Sequence, residues 1–245
     1  LDATGRGPGV MPSSLILLPG WGLGSVPLMP LAKALAGQAQ VAIEPLPALE
    51  HADIEHCLNA LDKRLPRDAW LGGWSLGGML ATLLAARRGA DCPGLLTLAS
   101  NARFTVSEDW PTAMPAATFA VFREAYELNP AATLKRFAML CSQGGLDFRG
   151  LSRRLLEQAE GDDSLVGLDL LAELDTRQAL QRFAGPQVHL FATDDALVPV
   201  AAAAAIQRLQ PAAEVRRVEG ASHALVIEQV NEVAAVIARF MEART

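Results

Sequence analysis

The chain has 245 residues, 51% of them hydrophobic, 20% charged and 5% aromatic, with a formal net charge of −6. That length suits one domain, or one domain carrying a large insertion, and an apolar half excludes global disorder. The acidic balance leaves no whole-protein basic footprint, so nucleic acid is not expected as a partner. Nor is a membrane, since Ala-rich runs such as Pro199–Gln207 are too short to span a bilayer. Leu1–Val10 has neither a basic start nor an apolar run, so no secretory leader is expected there. Cys57, Cys92 and Cys141 are odd in number and widely spaced. They form no disulfide framework or CxxC metal knuckle, and a reducing cytoplasm is the expected compartment.

In chain order, Leu1–Pro12 shows no alternation. Leu15–Leu18 is a short apolar run closed by Pro19-Gly20, which predicts a buried parallel strand. A Gly-rich loop over Gly20–Gly24 and a helix over Leu28–Ala36 follow. Val41–Glu44 is a second strand, ended by Pro45 and Pro47. Asp53 is placed to cap a helix over Ile54–Leu65, with Ile54, Leu58 and Leu61 on one face. Trp70–Trp74 is a third strand, Leu76–Arg88 a strong helix ended by Gly89, and Leu95–Ser100 a fourth strand.

This alternation predicts an α/β fold with a mostly parallel central sheet flanked by helices and joined by right-handed crossovers. It stops near Arg103. Helices are predicted over Ala117–Leu128, Ala131–Cys141, Gly150–Glu160 and Leu165–Leu174. It resumes with a strand at Val188–Ala192, a helix over Val200–Leu209, a strand at Glu214–Val218 and a last helix over Val226–Met241. The expected organisation is a core of residues 1–102 and 181–245, with residues 103–180 inserted as a helical cap over a binding site.

Gly73-Trp74-Ser75-Leu76-Gly77 has the form GxSxG. The pattern fixes only three residues, but here it lies where an apolar strand meets a helix. A sharp turn there puts the middle residue in strained backbone, and its neighbours must lack bulk. Ser75 is therefore the candidate nucleophile; an ordinary Gly-rich turn is the plain alternative. A serine hydroxyl needs a base. His223, in Gly220-Ala221-Ser222-His223, lies after the last strand in a loop that reaches the carboxyl edge of the sheet. His51 and His56 precede the serine, look solvated, and are five apart, a poor spacing for a helical metal pair. His189 alternates within a strand and reads as a buried histidine. The acid should follow Val188–Ala192, where Asp194 and Asp195 are adjacent. Asp195, four residues before Pro199, is favoured as the carboxylate that orients the imidazole, with Asp194 as runner-up. An oxyanion hole needs two backbone N–H groups: Leu76, after the nucleophile, and Trp21, in the loop after the first strand. No metal site and no organic cofactor is expected.

With those residues placed, the chain resembles the α/β-hydrolase superfamily along almost its whole length. Within it, the chain is most similar to the pimeloyl-[acyl-carrier protein] methyl ester esterases of biotin synthesis. The residues that carry the likeness are Leu18–Leu23 (LPGWGL), Trp70–Gly78 (WLGGWSLGG), Leu98–Ser100 with Asp109–Pro111 (LAS, DWP), Arg136-Phe137, Asp175–Gln181 (DTRQALQ) and Asp195–Pro199 (DALVP). The resemblance implies a cytoplasmic serine esterase that frees the pimeloyl carboxylate, with Ser75, Asp195 and His223 as its catalytic residues. It implies substrate contacts at Trp21, Ser75, Leu76, Phe137, Ala138, Met139, Leu140, Cys141 and His223. It also implies a carrier-protein patch at Arg136, Arg149 and Arg153, and an acyl-carrier protein bearing the pimeloyl methyl ester as partner. A monomer is expected.

This chain departs from the family at Pro19-Gly20, where His-Gly is common, at Cys141, where an amide stands, and near Ala132, where an arginine is missing beside Lys135. Charge gives separate support: from Arg123 to Arg154 there are six bases against three acids. Arg149 and Arg153 are four apart, on one helical face, and a solvated amphipathic helix is the plain alternative. A short-chain carboxylesterase or thioesterase would use the same residues. A non-catalytic ligand-binding protein on the same fold is the alternative from another class.

Overall fold

The computed structural model describes residues 13–47, 53–157 and 165–244. Leu1–Pro12, His51 and the last residues of the helix expected up to Glu160 lie outside the described residues. Six strands form one sheet: β1 (Ser14–Leu18), β2 (Gln40–Ile43), β3 (Trp70–Trp74), β4 (Leu95–Leu98), β5 (Gln187–Ala192) and β6 (Glu214–Val218). They lie in the order β2-β1-β3-β4-β5-β6, and every neighbouring pair is parallel. β1, β3, β4 and β5 are buried nearly throughout, as apolar strands covered on both faces must be. Edge strand β6 instead exposes Arg216 and Arg217, which discourages pairing with another sheet.

The helices are α1 (Met29–Leu35), α2 (Ile54–Arg64), α3 (Leu76–Arg88), α4 (Ala116–Leu128), α5 (Pro130–Ser142), α6 (Phe148–Glu157), α7 (Leu165–Glu173), α8 (Arg177–Arg182), α9 (Ala201–Leu209), α10 (Leu225–Glu228) and α11 (Val230–Glu242). The chain steps one way from β1 to β2 and the other way from β2 onward. Right-handed crossovers therefore put α1 on one face and α2, α3 and α9 on the other. α1 packs with α11, while α2, α3, α8 and α9 follow one another as a continuous row. The reversal falls between β1 and β3, so the crevice at their carboxyl ends is the natural ligand site. Asp53 caps α2 as expected, accepting from the N–H groups of Glu55 and His56 at 2.9 and 3.2 Å.

Helices α4 to α7 leave and rejoin the core at one point. The Thr176 N–H donates to the Ala102 carbonyl at 2.8 Å, and Arg103 bridges to Asp175. Arg177 then gathers two segments far apart in sequence. Its guanidinium meets Asp109 and Asp175, each at 2.7 Å, and lies 5.7 Å over the Trp110 ring. The Ser107 hydroxyl and Arg177 hold the Asp109 carboxyl below its usual range. At Asp175 burial pushes upward, but hydrogen bonds from Arg177 and Arg103 outweigh it and keep that carboxyl low as well.

Two elements differ from expectation. The sequence reading has no counterpart to α8, a six-residue helix too short to show periodicity. The single last helix is instead broken at Gln229 (φ −119°, ψ 39°) into α10 and α11. The break leaves the Glu228 carboxylate turned back toward Ser222 and Leu146.

His189 is 2% exposed, with Nδ1 2.7 Å from the Thr97 hydroxyl and Nε2 3.3 Å from the Gln187 amide oxygen. Burial pulls its pKa from 6.5 down to about 4. The unfolded chain therefore takes up this proton first as pH falls, and stability should drop from pH 6.5 to about 4 and then lose nothing more from this group. The drop amounts to about 3 kcal/mol. Urea unfolding at stepped pH should show a shallower decline for His189→Asn than for the parent across that window.

Candidate active site

Ser75 sits between β3 and α3 with φ 53° and ψ −119°, a conformation that side-chain-bearing residues rarely adopt. Its surroundings enforce it. A Cβ at Gly73 would collide with the backbone of Gly77, and one at Gly77 would collide with the carbonyl of Leu18. The strand, the turn and the helix thus approach closely enough only with glycine at both places. The Ser75 N–H donates to the Leu98 carbonyl at 2.9 Å, and its own carbonyl accepts from the Gly78 N–H and from the Ser100 hydroxyl at 2.8 Å. The hydroxyl-bearing residue is 7% exposed. The loop after β1 passes directly over it: an added Cβ at Gly20 would lie 3.4 Å from the Ser75 Cβ.

Asp195 and His223 are brought together from the loops after β5 and β6. Nδ1 of His223 lies 2.7 Å from Oδ2 of Asp195, and the two side chains are 0% and 1% exposed respectively. The other Asp195 oxygen, Oδ1, accepts from the N–H groups of Leu197 and Val198 at 2.8 and 2.9 Å. A buried carboxylate this fully bonded is fixed in position. Asp194 is exposed, and its N–H donates to the Ala221 carbonyl at 3.0 Å, which laces the two loops together. The pairing thus falls on Asp195 rather than Asp194. Nε2 of His223 is buried and has no hydrogen-bond partner among the described residues. The histidine turn is tied to the strand before Ser75, because the Trp74 indole N–H donates to the His223 carbonyl at 2.9 Å.

Leu76 is the first residue of α3, so its N–H has no acceptor within the helix. Trp21 lies next to Gly22, whose φ of +75° lets the loop turn there. Its indole is 2% exposed and packs edge-on against Phe137, Tyr126 and Phe122 at 5.0, 5.2 and 6.0 Å.

Near these groups opens an apolar cleft with a cavity volume of about 100 Å³. Its walls include Phe104, Met114, Phe122, Phe137, Leu140 and Leu197, drawn mainly from the segment between β4 and β5, and Arg136 stands among them. Leu197 joins it to Asp195, and Phe137 joins it to Trp21. Ser75 and His223 are not in its lining, so the cleft runs alongside the polar groups rather than around them. Of the stretch 137–141, Phe137 and Leu140 face the cleft. Ala138 and Cys141 are fully buried behind it, and Met139 is 48% exposed to solvent. Burial pushes the Cys141 thiol well above its ordinary pKa, so it is inert as a thiolate. Arg149 and Arg153 both lie exposed on α6, Arg153 within 4.0 Å of Glu157. Arg123 is committed elsewhere, to Asp169 at 2.6 Å.

Sequence reasoning did not single out Ser100, Glu228 or the anchoring bond of Trp74, because each acts through a backbone group that no residue pattern marks. Among the described residues, no cluster of three or more His, Cys, Asp or Glu side chains is arranged to hold a metal ion, and no helix is long and apolar enough to cross a membrane.

Residues 15–236 match the model of the alpha/beta hydrolase family. The chain is 32% identical over 256 residues to a pimeloyl-[acyl-carrier protein] methyl ester esterase of Stenotrophomonas maltophilia (strain K279a), covering 99% of this chain and 96% of that protein. It is 36% identical over 237 residues to a biotin biosynthesis bifunctional protein BioHC of Cellvibrio japonicus (strain Ueda107), covering 93% of this chain and 47% of that protein. The chain thus spans about half the length of the bifunctional relatives it matches. Among solved structures, a bromoperoxidase from Bacillus anthracis superposes with a TM-score of 0.82 at 18% identity, covering 95% of this chain and 92% of that one. An esterase from Exiguobacterium antarcticum superposes with a TM-score of 0.80 at 14% identity, covering the same shares. Those two likenesses establish the fold alone. By the family match and the full-length relative together, the chain belongs to the alpha/beta hydrolase family, in the branch of the pimeloyl-[acyl-carrier protein] methyl ester esterases.

Proposed function

We propose that this protein is a carboxylic ester hydrolase that removes the methyl group from pimeloyl-[acyl-carrier protein] methyl ester. The observation that carries the reading is the buried 2.7 Å contact of Asp195 with His223 Nδ1, tied by Trp74 to the strained turn that holds Ser75. The full-length relative of Stenotrophomonas maltophilia, named for this reaction, supports the choice of substrate.

In this reading Asp195 keeps the Nδ1 proton on His223, and Nε2 takes the proton of Ser75. The serine oxygen attacks the ester carbonyl, and the N–H groups of Leu76 and Trp21 receive the developing oxyanion. His223 then protonates the departing methoxide, which leaves as methanol. Water, deprotonated by the same imidazole, breaks the acyl-serine bond and releases the carboxylate. Every proton passes through one nitrogen, and the chemistry calls for no metal or organic cofactor. The cleft beside Leu197 and Phe137 receives the apolar acyl chain, with α4 to α7 serving as its cap. Arg136, Arg149 and Arg153 face the acidic carrier and its phosphate. The reaction belongs in the cytoplasm, with a monomer as the working unit.

Incubation with pimeloyl-[acyl-carrier protein] methyl ester should yield a product lighter by one methylene, with one methanol per turnover. Ser75→Ala should abolish both. Hydrolysis of p-nitrophenyl acetate without any action on the carrier-bound ester would instead mark a general carboxylesterase. Asp195→Asn keeps an oxygen for the Leu197 and Val198 amides but leaves Nδ1 with the wrong partner. It should fold normally and lower kcat by a factor on the order of 10⁴. Charge reversal at both Arg149 and Arg153 should raise KM for the carrier-bound ester and leave p-nitrophenyl acetate turnover unchanged. An unchanged KM for the carrier substrate would remove these arginines from the interface.

A further inference from the structure

The mechanism above leaves one partly buried carboxylate without a task. Glu228, the last residue of α10, is half-buried and receives three hydrogen bonds. Oε2 accepts from the Ser222 N–H at 2.9 Å and from the Ser222 hydroxyl at 2.8 Å. Oε1 accepts from the Leu146 N–H at 2.9 Å. Ser222 directly precedes His223, and Leu146 lies in the loop between α5 and α6. One carboxylate therefore grips the histidine turn with one oxygen and the inserted helices with the other.

The same loop is pressed onto the acid as well. Gly144 adopts φ +93°, and a Cβ there would collide with the carbonyl of Asp194, the residue before the His223 partner. At the end of α5, the Cys141 carbonyl accepts from the Ala224 N–H at 3.0 Å. Residues 141–146 thus touch the chain just after His223 and beside Asp195, and reach Ser222 through Glu228. Asp195 fixes one ring nitrogen of His223, Trp74 fixes its carbonyl, and the Asp194 N–H fixes the Ala221 carbonyl; the Ser222 amide between them is held by Glu228.

We infer that Glu228 is a positioning residue for His223, clasping the Ser222-His223 turn to the α5–α6 loop so that Nε2 stays aimed at Ser75. It touches no reacting atom, and its effect passes through Ser222. The inference rests on His223 being the base. A charged acceptor holds an amide and a hydroxyl more strongly than a neutral one does, and small misplacement of a catalytic group is costly in rate. Loss of the clasp should therefore appear in kcat rather than in KM.

The test uses p-nitrophenyl acetate, too small to depend on the carrier or the far cleft, and the full chain at a temperature well below melting. Glu228→Ala should lower kcat about tenfold or more, with KM within about twofold of the parent. Labelling of Ser75 by a fluorophosphonate, which reads nucleophile activation directly, should slow by a similar factor. Ser222→Ala, which removes the hydroxyl's bonds to Glu228 and from the Ala224 N–H but keeps the amide bond to Glu228, should lose less. Glu228→Gln can satisfy one end of the clasp but not both, and should fall between Glu228→Ala and the parent. If Glu228→Ala does not fold, Glu228→Gln is read by the same criteria. A folded variant whose kcat and labelling rate stay within about twofold of the parent would overturn the assignment, as would a loss confined to KM. An active parent that is unimpaired by His223→Ala would sink the serine–histidine reading itself and this inference with it.

Discussion

The site depends first on a steric constraint. β3, Ser75 and α3 can follow one another only if the helix starts immediately against the strand end and the loop after β1 crosses above them. Two glycines make that possible. Gly73 lets the strand touch the first turn of the helix, and Gly77 lets the helix touch the Leu18 carbonyl. The residue between them is then driven to φ 53°. The strain is not relieved locally; it is balanced by the Ser75 amide and carbonyl bonds to Leu98, Gly78 and Ser100. Once the turn is fixed, Leu76 must present its N–H at the same end of the sheet, because it opens the helix. The position of the serine is thus a consequence of packing.

Two buried histidines show how differently one core can treat the same side chain. His189 meets only neutral partners, Thr97 and Gln187, and burial drives its pKa down to about 4. It is a structural group, kept neutral because nothing nearby balances a charge. His223 is equally buried but faces a carboxylate at 2.7 Å. That carboxylate is itself anchored by two backbone N–H groups, which hold it against the ring. The two histidines are thus told apart by their partners rather than by their burial.

The alternation of strands and helices was legible because each central strand is an unbroken apolar run between turn residues, and each long helix has its own cap or stop. Asp53 and Gly89 are examples. The GxSxG turn was legible because its glycines answer to sterics that hold wherever a strand meets a helix so tightly. The pairing of Asp195 rather than Asp194 was less so. The two carboxylates are adjacent in a turn after β5, and no residue pattern marks which of them accepts from the Leu197 and Val198 amides and meets His223. The stretch 137–141 was legible only as a helix. Its faces are assigned by what packs around it, so Phe137 and Leu140 reach the cleft while Met139 meets solvent. α8 is too short to announce itself, and the kink at Gln229 carries no proline or glycine to mark it.

Arg177 and Glu228 illustrate a second layer of order that pattern reading does not reach. Each joins segments more than sixty positions apart through one charged side chain: Arg177 gathers Asp109, Trp110 and Asp175, and Glu228 gathers Leu146 and Ser222. Both sit where the inserted helices meet the core, one at the exit and return of the insertion, the other beside the histidine turn. An exposed ion pair contributes little to stability, but a charged group that satisfies several otherwise unpaired donors fixes geometry at modest energetic gain. Where a cleft is built from one segment and the buried Asp195–His223 pair comes from another, that geometry is what keeps the two in register. Arg177 and Glu228, together with the backbone bonds of Thr176 to Ala102 and of Ala224 to Cys141, pin the helices of the cleft beside Asp195 and His223.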